Sequence, residues 1–151
     1  MGKPELFLDR IEIRRRPWSV RQDIGGAPIR MSGDILHIVE PILCDEFVEV
    51  FVVVFLDARN HPIGFHEVSR GTLTESLVHP REVFRAAIAI GAARIAVAHN
   101  HPSGDPTPSR EDIELTKRLR DAGELLGIKV LDHIIIGDGH HVSLAEMGYM
   151  K

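Results

Sequence analysis

His99-Asn100-His101-Pro102-Ser103-Gly104-Asp105-Pro106-Thr107-Pro108-Ser109-Arg110-Glu111-Asp112 joins the apolar run Ile95 to Ala98 to the start of an amphipathic segment. Side chains alternate along an extended strand, so the imidazoles of His99 and His101 project to one side and can meet one ion. The Pro/Gly-rich loop turns the chain back. Ser109 then opens a helix, and Asp112 falls where the positive end of the helix dipole favours a carboxylate that can face the loop. Two neutral imidazoles and one carboxylate suit Zn²⁺ in a catalytic arrangement, with the fourth position left for water. A site just beyond a strand end is also where open α/β sheets place ligands. Each part has a plainer reading: a polar loop for the histidines, a capping pair for Ser109 and Asp112, a turn for Pro102 to Gly104. Their conjunction favours the metal.

Working outward, Pro80 suits the first turn of a helix running to about Ile90, the small apolar Ala86, Ala87, Ala89 and Ala92 let it lie close to a sheet, and Gly91 stops it. After the loop, Ile113, Leu115, Thr116, Leu119, Ala122 and Leu126 include an apolar stripe that Gly127 closes. Ile128 to Ile136 reads as a strand, Gly137-Asp138-Gly139 as a hairpin turn, and Val142 to Leu144 as the returning strand. Upstream, Ser32 is the expected cap of a helix carrying Ile35, Ile38, Val39 and Ile42, with Pro41 weakening its last turn. Phe47 to Asp57 has the composition of a strand covered on both faces, and Ile63 to Val68 is its expected hairpin partner. Gly71 to Leu77 reads as a loop. The pattern predicts a single layered α/β domain with a mixed β-sheet flanked by helices.

Composition narrows the function classes. The 151 residues, 44% hydrophobic and 26% charged, match one globular domain with enough apolar content for a core. The single cysteine, Cys44, excludes an internal disulfide and any zinc site needing two thiolates, and points to a reducing, cytoplasmic setting. No apolar run approaches the ~20 residues of a membrane span, so no membrane partner is expected. Net charge is −4, which argues against a chain built to coat polynucleotide. Nine histidines beside one tyrosine and one tryptophan point instead to metal or acid/base chemistry.

Charge is uneven. Residues 1–30 carry seven Lys/Arg and four Asp/Glu, against eleven and eighteen in the remainder. Ile11 to Arg14 alternates like a short edge strand, Arg14-Arg15-Arg16-Pro17-Trp18 is basic, and Gly25 to Pro28 is a loop. Residues 1–31 therefore read as a basic N-terminal extension ahead of a domain over 32–151. The basic run is a docking surface or, more commonly, a solvated stretch.

His99-x-His101-Pro102 with Ser109 and Asp112 resembles the JAMM motif of the cytidine-deaminase-like JAB/MPN metallopeptidase fold. The longer set His79-Pro80-Arg81-Glu82-Val83, His99 to Pro106 and Leu131 to Gly137 is similar to the RadC family in particular, over roughly residues 32–148. The resemblance implies a JAMM-type zinc hydrolase with His99, His101 and Asp112 as metal ligands and a peptide or protein substrate cut at a peptide or isopeptide bond. It also implies a glutamate on an earlier strand. Spacing leaves Glu46, Glu49 and Glu67 open; the family pattern around Glu49-Val50-Phe51 to Leu56-Asp57 selects Glu49 as the catalytic base. Glu49 shares strand parity with Phe47, Phe51, Val53 and Phe55, where a carboxylate needs a polar partner. The resemblance further implies that Ser109 donates a hydrogen bond to the developing oxyanion, a role compatible with capping.

Asp132-His133 either supplies a hydrogen bond to a ligand or satisfies itself within the sheet. His61, His66, His140 and His141 read as surface histidines. The rival functions are a non-catalytic assembly module and a DNA-repair or DNA-associated role, the latter weakly supported because residues 1–31 hold no pair of glycine-turned helices. A zinc deaminase is excluded by the single cysteine. A homodimer is compatible with everything above.

Overall fold

The computed structural model describes residues 27–71 and 78–151. The expected basic segment up to residue 26, and most of the loop expected over Gly71 to Leu77, lie outside the described residues. The elements run α1 (Ser32–Leu43), β1 (Val50–Leu56), β2 (Pro62–Arg70), α2 (Pro80–Ile90), β3 (Arg94–Asn100), α3 (Arg110–Leu126), β4 (Lys129–Ile136) and β5 (His141–Ser143). The sheet order is β2-β1-β3-β4-β5; β3 and β4 are parallel and the other neighbours antiparallel. This is the mixed α/β architecture expected. None of the described helices is long and apolar enough to cross a membrane.

All seven residues of β1 are buried, which explains its apolar composition on both parities. Val50, Val52, Val54 and Leu56 pack with α1, Ala96, Ala98 and Ile134; Phe51, Val53 and Phe55 pack on the opposite face with α2, Ile95, Val97 and Leu119. Ile29, just ahead of α1, also belongs to the first of these clusters and donates its N–H to the Asn60 carbonyl at 2.9 Å. Gly123 brings α3 against the sheet: a Cβ there would stand 2.4 Å from the Ile128 carbonyl oxygen.

Two local expectations shift. Ser32 is the first helical residue rather than the cap. Asp34 does the capping instead, its carboxylate accepting from the N–H groups of Arg30 (2.7 Å) and Met31 (3.1 Å), while the Ser32 hydroxyl donates to Glu146. The strand expected from Phe47 begins only at Val50, and Phe47 is 94% exposed.

Candidate metal centre

The site is assembled where β3 ends, α3 begins and the chain enters β1. His99 and Phe51 are paired across β3 and β1, and their rings stack with centroids 5.8 Å apart. His99 therefore lies on the sheet face covered by α3, as the parity of Ile95 and Val97 requires. Ser109 caps α3: its Oγ accepts from Asp112 N–H at 3.1 Å, and an Asp112 carboxylate oxygen accepts from Ser109 N–H at 2.8 Å. This reciprocal cap aims the Asp112 carboxylate back toward the strand end.

The loop between them is pinned to the β4–β5 turn. His101 N–H donates to the Ile136 carbonyl (2.8 Å), and Asp138 N–H donates to the Gly104 carbonyl (2.8 Å). Gly104 sits at φ +86, and Gly137 lies so close that a Cβ would approach the Gly104 carbonyl oxygen to 2.2 Å. Within the loop, Asp105 Oδ1 accepts from the Thr107 amide (2.9 Å) and hydroxyl (2.6 Å).

Four side chains converge: Glu49, His99, His101 and Asp112 each offer a ligand atom, all within 4.8 Å of one another. His99 Nε2 stands 3.0 Å from His101 Nε2 and 3.2 Å from Asp112 Oδ1, and His101 Nε2 is 3.3 Å from Asp112 Oδ2. Tetrahedral Zn²⁺ with bonds of about 2.0–2.1 Å spaces its ligands by about 3.3 Å, so this trio fits such an ion. Glu49 Oε1 is set back, at 3.5 Å from His99 Nε2 and 4.0 Å from His101 Nε2. His101 Nδ1 lies 2.8 Å from the Asp105 carbonyl, which can only accept, so the neutral ring carries its hydrogen on Nδ1 and turns the Nε2 lone pair toward the site.

Electrostatics agree with a cation at this point. Burial would raise the Asp112 carboxyl, but the neighbouring imidazoles of His101 and His99 outweigh it and hold it below the usual carboxylate range. The Asp112 hydrogen bond raises His101 above its ordinary value, against the effect of burial. His133 is pushed well below its ordinary value, first by burial and then by neighbouring His99.

The rival glutamates are engaged elsewhere. Arg70 holds Glu46 at 2.6 Å and Glu67 at 2.8 Å on an exposed part of β2, and neither glutamate belongs to the converging group. Of the pair Asp132-His133, His133 approaches His99 Nδ1 with Nε2 at 2.8 Å. Asp132 turns away, accepting from Ser143 Oγ and from the amides of His133 and Ala145, and burial raises its carboxyl. His61, His66, His140 and His141 are not part of the group, and the last three are exposed.

Two contributors escaped the sequence reading. Asn100 ties the segment bearing Glu49 to the end of β3, and Thr116, counted with the apolar stripe of α3, bonds His133 Nδ1 at 2.6 Å. The signals were present: a polar Asn between the two candidate ligand histidines, and a Thr one helical turn after Asp112.

A family model described as RadC-like JAB domain matches residues 29–149. A UPF0758 protein of Caldanaerobacter subterraneus is 61% identical over 101 residues, covering 67% of this chain and 43% of that protein. A UPF0758 protein of Methanosarcina mazei is 48% identical over 118 residues, 78% of this chain and 52% of its own length. A third, from Desulfitobacterium hafniense, is 48% identical over 141 residues, 93% of this chain and 61% of that protein. This chain thus spans about half the length of the curated relatives it matches. With the match extending from Ile29 through the whole sheet and its candidate metal centre, the chain belongs to the RadC-like JAB domain family.

Proposed function

We propose that this domain is a JAMM-type zinc hydrolase that cleaves a peptide or isopeptide bond in a peptide or protein substrate. The observation that carries the reading is the convergence of two imidazole nitrogens and two carboxylates, with His101 Nδ1 turned to a carbonyl so that Nε2 faces the group. His99, His101 and Asp112 would hold the ion, a set in which one carboxylate and two neutral imidazoles suit Zn²⁺. When bound, such an ion supplies Lewis acidity, making water a better acid and a carbonyl a better electrophile.

The chain's own residues supply the rest. Glu49, set back from the ligand trio, takes a proton from the attacking water and returns it to the amine nitrogen as the C–N bond breaks. Oxygen from water ends on the carboxyl product and hydrogen on the amine. Ser109 spends its lone pair on the Asp112 amide, so its hydroxyl hydrogen is free for a developing oxyanion.

The test is paired: metal content of protein purified without a histidine tag, and a peptide-library cleavage screen, each on wild type and Glu49→Gln. The reading expects stoichiometric zinc in both proteins and cleavage reduced ~10²–10⁴-fold in the variant. Metal without cleavage of any peptide would leave an assembly module.

A further inference from the structure

A single buried hydrogen-bond chain leaves the candidate metal centre and returns to it. His99 Nδ1 lies 2.8 Å from His133 Nε2; His133 Nδ1 lies 2.6 Å from Thr116 Oγ; the Thr116 hydroxyl donates to the Asp112 backbone carbonyl at 2.7 Å. His99 and His133 are fully buried and Thr116 nearly so. Phe51 shields both rings, stacked on His99 and edge-on to His133 at 5.5 Å. Losing a partner in so buried a place leaves a polar group unpaired, which is costly.

The chain has a direction. The Asp112 carbonyl can only accept, so the Thr116 hydrogen points there and Thr116 Oγ accepts from His133 Nδ1. His133 then has its hydrogen on Nδ1 and a lone pair on Nε2, which accepts from His99 Nδ1. That leaves His99 Nε2 bare, facing Asp112 and His101. A metal-binding histidine ordinarily donates its other N–H to a carboxylate, a carbonyl or water. Here the acceptor is a neutral imidazole whose own tautomer is set by a threonine.

The placement of His133 depends on an irregularity. Ile95 pairs with Val130, but Val97 pairs with His133, so β4 carries one extra residue between these pairs. Without it His133 would pair with Ala98, whose side chain packs on the α1 face, away from the site. The bulge turns His133 toward His99, and the Asp132 carboxylate secures it by accepting the His133 N–H at 2.7 Å.

We propose that His133 and Thr116 are positioning residues that lock His99 in the Nδ1–H tautomer and thereby set the affinity of the centre for its metal. The inference rests on the metal-binding part of the function proposed above, not on hydrolysis. Its test uses Thr116→Val, which keeps the shape and removes the hydroxyl, and Thr116→Ser, which restores it. Zinc affinity of the full chain is read by competition with a chelator. Thr116→Val should bind zinc about 10–100-fold more weakly, and Thr116→Ser should return close to wild type.

A second measurement does not depend on any variant folding: long-range ¹H–¹⁵N correlation spectra of zinc-loaded wild type should report hydrogen on Nδ1 of both His99 and His133. Wild-type affinity in Thr116→Val, or a His133 protonated on Nε2, overturns the inference. Zinc binding without peptide cleavage overturns only the hydrolase reading, whereas a wild type that binds no zinc overturns both.

Discussion

Asn100 Oδ1 accepts the N–H of Val50 at 2.8 Å, so a side chain takes the hydrogen bond that a continued β3 backbone would otherwise supply. The same amide donates to the carbonyls of Val48 (2.9 Å) and Glu46 (3.3 Å). One residue, placed between the two histidines, thus fixes the path of the segment that carries Glu49. It also explains why β1 starts at Val50 and leaves Phe47 exposed.

Asn100→Ala should therefore separate the two halves of the site. It leaves the Val50 N–H unpaired in a buried position, at a cost of about 1–3 kcal/mol. Zinc content should stay near wild type because His99, His101 and Asp112 keep their own supports. Cleavage should fall at least ~10-fold as Glu49 loses its position, since small misplacements of a catalytic group are costly. Denaturant unfolding, metal analysis and the cleavage assay on one preparation check this, and zinc loss equal to the loss of rate would contradict it.

His101→Ala should remove stoichiometric zinc and leave the far-ultraviolet circular dichroism unchanged. Both apolar clusters are built from residues other than the ligands, and His101 is itself partly exposed. The same logic applies to wild type stripped with a chelator: the secondary structure should persist. Unfolding on metal removal would mean that the ion is structural.

Gly137→Ala should loosen the loop that carries His101. Its added methyl meets the Gly104 carbonyl oxygen and the Pro106 ring, so either the β4–β5 turn or the loop must move. Overpacking of this kind costs about 1–3 kcal/mol. A lower melting temperature together with weakened zinc binding is the expected result; a change in stability alone would show that the turn, not the loop, had yielded.

Zinc binding should release a proton near neutral pH. Its bond to Asp112 raises His101 above the ordinary imidazole value, so between that value and the raised one the metal-free ring still holds a proton that the ion must displace. Apparent affinity should accordingly rise with pH through this window and fall below it. Calorimetric titration in two buffers of different ionisation enthalpy reads the number of protons directly, and identical heats in both would refute the prediction.

What was legible in the sequence was local in cause. The period of two puts His99 and His101 on one side of a strand. Ser109 and Asp112 announce the start of α3, and Gly127, at φ +70, its end. Burial of β1 on both faces follows from its composition. Each depends on neighbours within a few residues, where backbone sterics and short-range hydrogen bonds decide the outcome.

What needed tertiary structure depends on partners far along the chain. Ser32 reads locally as the cap of α1, and only its contact with Glu146, far along the chain, shows the hydroxyl engaged elsewhere. Simple alternation cannot foresee the extra residue in β4 that turns His133 toward His99, because a bulge is defined by the register of the partner strand. Nor does spacing choose among Glu46, Glu49 and Glu67; Arg70, brought in by β2, engages two of them, while Glu49 is the one that reaches the histidines. The candidate ligands of the centre lie in one short stretch, but their supports come from separate strands and a helix, and only folding brings them together.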